Sequence, residues 1–178
     1  MKHGVALLVL GLLALVVQGA AAQLVPAHWV PDFGLLLVVA IALSVRGAAV
    51  GVLLAAGLGF AADLLSGTLL GQHALLRLAA YGAARFGSRR LNLRGALPQA
   101  VFVALVSVAH AGALLGLVAF FLPGDVPPLV SVWALVAHAL VNAAVAPLVT
   151  AAVGSLSARL EGDDAVRSLR LEPRTLGL

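Results

Sequence analysis

Six nearly uncharged apolar runs, parted by short breaks, dominate this sequence: Gly4–Ala22, Ala27–Val45, Ala48–Leu65, Thr68–Phe86, Gly95–Phe121 and Pro127–Gly154. A helix needs about 20 apolar residues to cross a hydrocarbon layer roughly 30 Å thick. Only structures that bond every backbone polar group internally survive there, so runs of this length predict membrane-spanning helices. Hydrophobic residues make up 62% of the chain and charged residues only 10%. Soluble domains carry about 25% charged residues, and a chain of 178 residues has too little interior to hide so much apolar surface. The expected fold is therefore all-α, a polytopic transmembrane bundle of six helices.

The breaks carry the usual punctuation: Pro26 and Pro31 before the second run, Ser66-Gly67 after the third, and Pro123-Gly124-Asp125 between the fifth and sixth. The second run is the weakest, because Pro31 and Asp32 leave only Phe33–Val45 cleanly apolar. It is expected to be short, tilted or partly interfacial, with Trp29 at headgroup level. Residues 1–158 are read as one membrane domain and 159–178 as a charged cytoplasmic tail, either a short surface helix or disordered.

Charge fixes the expected orientation. With the N-terminus inside, inner segments hold Lys2, Arg46, Arg85, Arg89, Arg90, Arg94, Arg159, Arg167, Arg170 and Arg174, which are ten of the eleven basic residues. The outer segments, Gln23–Asp32, Ser66–Gly67 and Leu122–Val126, hold none. Six spans with both termini inside satisfy the positive-inside rule. The net charge of +4 thus marks inner loops and anionic lipid, not nucleic acid. The loop from Arg85 to Arg94 is the densest basic patch and could also dock a cytoplasmic partner. Lys2, an apolar core and Ala20-Ala21-Ala22 also resemble a secretory signal with its cleavage site, although the apolar run exceeds a usual signal core and favours retention.

Polar residues inside spans are expensive, and each requires a reason. Asp63 near the outer end of the third run and Arg77 inside the fourth lean toward one another, because helical side chains tilt toward their own N-terminus. A structural Asp63–Arg77 pair is expected; the alternatives are an interfacial Asp63 with a snorkelling Arg77, or a substrate or proton path. His73, Arg77 and Tyr81 form one stripe that should face protein. His110 and His138 fall at one depth, roughly 16 Å below the outer end, with Asn142 one turn from His138. An interhelical hydrogen-bond set is the favoured account, since no third ligand for a metal is evident. The chain has no cysteine, no phosphate-binding glycine loop, no Gly-x-Ser-x-Gly elbow and no paired carboxylates within a span. These absences argue against an enzyme and against a cofactor. Gly47-x-x-x-Gly51, Gly67-x-x-x-Gly71 and Gly112-x-x-x-Gly116 offer small surfaces for close helix approach.

The stretch Gly59-Phe60-Ala61-Ala62-Asp63-Leu64-Leu65-Ser66-Gly67-Thr68-Leu69-Leu70-Gly71-Gln72-His73-Ala74-Leu75 resembles the signature of the MreD family of rod shape-determining membrane proteins. That pattern runs Gly-Phe, a short gap, Asp-Leu-Leu, then Gly, Leu-Gly, and a helix with Tyr and an arginine-rich exit. Tyr81, the arginines from Arg85 to Arg94, and the earlier Pro31-Asp32 fit its continuation. The resemblance implies a non-enzymatic subunit of the elongation machinery in the bacterial inner membrane. Its implied partners are an MreC-like single-span protein and, indirectly, an MreB-like filament, a RodA-like glycosyltransferase and a class B penicillin-binding protein. It also implies a fold similar to the substrate-binding subunits of energy-coupling-factor transporters, and so a second reading as a vitamin-like ligand receptor. An aromatic content of 5% and short, nearly uncharged outer loops favour the helix-packing partner. Gly59, Gly67 and Gly71 are expected to face that partner, because small residues permit close approach.

Overall fold

The computed structural model describes residues 2–45, 47–67, 69–93, 95–121 and 132–171, with side chains between residues 3 and 160. Among the described residues the chain forms six α-helices, one 3-10 turn and no strand. The helices are α1 (Lys2–Ala21), α2 (Phe33–Ser44), α3 (Ala48–Ser66), α4 (Gln72–Arg90), α5 (Ala96–Phe121) and α6 (Val132–Leu171), and the turn covers Ala27–Trp29. Among the described residues five segments are long and apolar enough to cross a membrane, the turn and α2 counting together as Ala27–Ser44. The protein is a multi-pass membrane protein. The expected fourth span is shifted: α4 begins at Gln72 and runs on to Arg90, so His73, Arg77, Arg85, Arg89 and Arg90 leave it outside that apolar group.

The run that looked weakest is the centre of the molecule. Every residue of α2 from Gly34 to Ala42 is buried, and α2 packs against all five other helices. A helix that is apolar all round has no polar face to turn outward and belongs inside a bundle. Its 12 residues rise only about 18 Å, short of the hydrocarbon thickness. The 3-10 turn and the Pro31-Asp32 step occupy the remainder, so α2 starts within the bundle.

The other helices form a sleeve around it. The closest pairings are the neighbours α3–α4 and α5–α6. At the α3–α4 turn Gly67 (φ 63°) and Gly71 (φ 94°) are both left-handed, a conformation only glycine takes without strain. One end of the bundle gathers the starts of α1 and α3 with the later part of α6: His3 Nε2 lies 3.0 Å from Ser157 Oγ, and Gly4 lies against Val50. The outward faces of α1 and α5 expose Val5, Val9, Leu13 and Val16, and Leu97, Val101 and Leu105. Such a surface matches lipid. The backbone of α6 continues helically through Pro147 to Leu171, past the boundary expected at residue 158.

Candidate functional site

A helix that begins inside a bundle brings unbonded backbone N–H groups with it, and these must find partners. At the start of α2 the partners come from every side. Asp32 caps the helix, its Oδ1 accepting from the Leu35 N–H at 3.0 Å. The Gly34 N–H donates to Gln18 Oε1 of α1 at 3.4 Å, and the Asp32 N–H donates to Asn142 Oδ1 of α6 at 2.8 Å. Asn142 in turn donates through Nδ2 to Ser107 Oγ of α5 at 3.1 Å. Arg77 of α4 completes the junction, donating to Asp32 Oδ1 at 3.3 Å and to the Leu58 carbonyl of α3 at 2.7 Å. All six helices therefore supply a group to one polar junction, in which Arg77 is 1% exposed and Asn142 not at all.

Gly34 makes room for this arrangement. A methyl group there would overlap the Arg77 guanidinium, so glycine sets how closely α2 and α4 approach. Eight residues along α4, Arg85 donates to the carbonyls of Ala42 and Val45, both at 3.1 Å. One helix thus holds α2 at both ends, its two arginines about 12 Å apart along the axis. Arg85, expected in a cytoplasmic basic loop, lies on α4 and packs against the end of α2, because the last carbonyls of that helix need donors. Arg89 and Arg90 are exposed, with the Arg90 guanidinium 5.4 Å from the centre of the Phe86 ring. Arg94 lies outside the described residues.

Asp63 and Arg77 do not pair. Asp63, fully buried, accepts from the backbone N–H groups of Gly71 at 2.9 Å, His73 at 2.8 Å and Ala74 at 3.3 Å, and lies 2.9 Å from His73 Nδ1. It closes the first turn of α4 from the end of α3, where a carboxylate is favoured by orphan donors and the helix dipole together. Those donors lie nearer than the guanidinium, which is deeper along α4 and meets Asp32. Of the stripe on α4, Arg77 and Tyr81 are buried and His73 is partly so; Tyr81 donates to the Ala48 carbonyl at 3.3 Å.

The glycines expected to face a partner are used within the chain. Gly59 is covered by α4: a methyl group there would overlap the Ala74 backbone. Gly67 and Gly71 serve the turn through their positive φ. The set of His110, His138 and Asn142 is also rearranged, since Asn142 bonds to Ser107 and the Asp32 backbone. The two histidines instead line one cavity of about 420 Å³ together with His28, Asp32, His73 and Ser107. His110 Nδ1 is itself buried without a hydrogen-bond partner, an arrangement that typically costs about 1–3 kcal/mol. Among the described residues no three His, Cys, Asp or Glu side chains are grouped to hold a metal ion.

Asp32 was accessible to sequence reasoning, since an Asp three residues before Leu35 at the head of an apolar run is a helix-cap signature. Gln18 and Ser107 carried no such signal; each is an isolated polar residue on a helix. The family model for the rod shape-determining protein MreD matches residues 2–153. No curated protein and no solved structure matches the chain. Because the match takes in every residue of the junction at the start of α2, together with the Asp63 turn, the chain belongs to the MreD family of rod shape-determining membrane proteins.

Proposed function

We propose that this chain is a non-enzymatic subunit of the bacterial cell-elongation complex. It binds an MreC-like single-span protein and thereby supports peptidoglycan synthesis by a RodA-like glycosyltransferase and a class B penicillin-binding protein, with an MreB-like filament on the cytoplasmic side. The family match across residues 2–153 carries this reading. The chemistry of the junction supports it: Asp32, Asp63, Arg77 and Asn142 are held by backbone groups and by one another, as structural parts are.

The protein sits in the inner membrane with both termini in the cytoplasm, residues 1–158 forming the membrane domain and 159–178 the charged tail. Arg85, which binds the end of α2, and the exposed Arg89 and Arg90 follow one another at the end of α4, and the positive-inside rule assigns that end to the cytoplasm. Deleting the gene should turn rods into round cells, and the wild-type chain should restore them and co-purify with an MreC-like protein. Rods that persist after deletion would overturn the proposal.

A further inference from the structure

The outward face of α4 changes character along its length. Leu75, Ala79, Gly82, Ala83 and Phe86 are exposed and apolar, and the exposed Arg89 and Arg90 follow them. Ala79, Ala83, Phe86 and Arg90 are spaced by four, three and four residues, so they share one face of the helix. Beside that face runs an apolar groove of about 220 Å³ between α4 and α5. Ala79 and Ala83 line it from α4, Ala109 and Ala113 from α5, and all four are exposed, so the groove opens to the outer surface of the bundle. Nearer the arginines the Phe102 ring of α5 fits against Gly87, where an added methyl group would overlap it, and closes the seam between the two helices.

The groove is smaller than the roughly 300–1,000 Å³ of sites for free small molecules, and its wall is apolar apart from His110. An acyl chain suits such a slot, because it needs no hydrogen-bond partner. Depth agrees: at a rise of about 1.5 Å per residue, Ala83 and Ala79 lie about 10 and 16 Å from Arg90 along α4. Half of the hydrocarbon layer is about 15 Å, so a chain whose headgroup stands at Arg90 has its middle at the groove. Charge selects the headgroup. Among the described side chains only Asp32 and Asp63 are acidic, and they bond to Arg77 and to the first turn of α4, away from Arg89 and Arg90. Guanidinium groups grip phosphate through paired hydrogen bonds. We propose that the groove between α4 and α5 holds an acyl chain of an anionic phospholipid whose phosphate is bound by Arg89 and Arg90. The lipid joins two helices that touch each other less than the pairs α3–α4 and α5–α6 do. This site is separate from the partner-binding role proposed above, and its test needs no partner.

The test uses the full-length protein in phosphatidylcholine nanodiscs and, as probe, a small fraction of phosphatidylglycerol carrying a diazirine near the middle of one chain. Photolabelling should saturate, compete with unlabelled phosphatidylglycerol, map to Ala79–Ala83 and Ala109–Ala113, and exceed labelling by a matched phosphatidylcholine probe. Each arginine at a membrane surface strengthens binding of anionic lipid about fivefold, so Arg89→Gln/Arg90→Gln should weaken it about thirtyfold. Ala83→Leu and Ala109→Leu fill the groove from either helix. Each should remove labelling of these peptides while helical content and melting temperature in phosphatidylcholine alone stay near wild type; should one fail to fold, the other carries the test. Equal labelling by the phosphatidylcholine probe, labelling unchanged in the arginine variant, labelling spread evenly over the outward faces of α1 and α5, or labelling that persists in a filled groove would each refute the site. Loss of a dimer, in place of lipid, from the filled variants would refute it too, by identifying the occupant as a second copy of the chain.

Discussion

The guanidinium of Arg77 reaches two targets on two different segments inside an apolar bundle, the Asp32 carboxylate and the Leu58 carbonyl. Removing one partner of such a buried pair strands the other, which typically costs about 3–5 kcal/mol. Arg77→Leu is therefore expected to lower stability by about that amount, measured by unfolding in mixed micelles. In Asp32→Asn/Arg77→Leu, which removes both charges, the loss should be smaller than in Arg77→Leu alone. The cost of placing Asp63 and Arg77 in apolar runs was legible in the sequence, but their partners were not. A tilt argument brings side chains to a similar depth; it does not rank competing acceptors. Backbone N–H groups at Gly71, His73 and Ala74 claimed Asp63 because a helix start is always short of acceptors.

At the scale of elements, each apolar run yields a helix; α1, α3 and α5 follow their runs closely, whereas α2 starts later, α4 is displaced toward Arg90 and α6 runs on to Leu171. Hydropathy alone did not say which helix is central. The signal lay in α2 itself, a helix of 12 residues with no polar position before Ser44, a pattern with no face for an outer position. Its shortness suggested an interfacial piece; enclosure by five helices makes the same shortness tolerable. Glycine spacing was the least informative signal. Gly67 and Gly71 match the small-residue spacing as readily as Gly112 and Gly116, yet the former pair serves the α3–α4 turn through its positive φ, and an added methyl group would meet nothing within 4 Å at any of the four. Gly67→Ala should destabilise the α3–α4 hairpin by about 1–2 kcal/mol, since a side chain at positive φ is strained. Raised proteolysis at the turn and a lower melting temperature would check this. Wild-type behaviour of Gly67→Ala would contradict the turn geometry.

At the scale of the whole molecule, the junction at the start of α2 behaves as one unit. Gln18 and Asn142 serve backbone N–H groups two residues apart, Gly34 and Asp32, from opposite ends of the sequence. Gln18→Leu and Asn142→Leu should each cost about 1–3 kcal/mol. The double variant should depart from their sum by more than about 0.5 kcal/mol, measured by a double-mutant cycle in unfolding titrations. Simple additivity would mean that the two contacts act separately.

The central position of α2 also bears on how the protein is made. Helices leave the ribosome in order, yet the groups that complete the start of α2 belong to Arg77, Ser107 and Asn142, the last of which lies more than one hundred residues downstream. Until α6 emerges, the second helix is a short apolar rod with bare amides and an unmatched carboxylate, poorly suited to lipid on its own. Biogenesis must therefore shelter it, inside the insertion machinery or under a membrane chaperone. Chains stalled before α6 are the ones a membrane protease should recognise and clear.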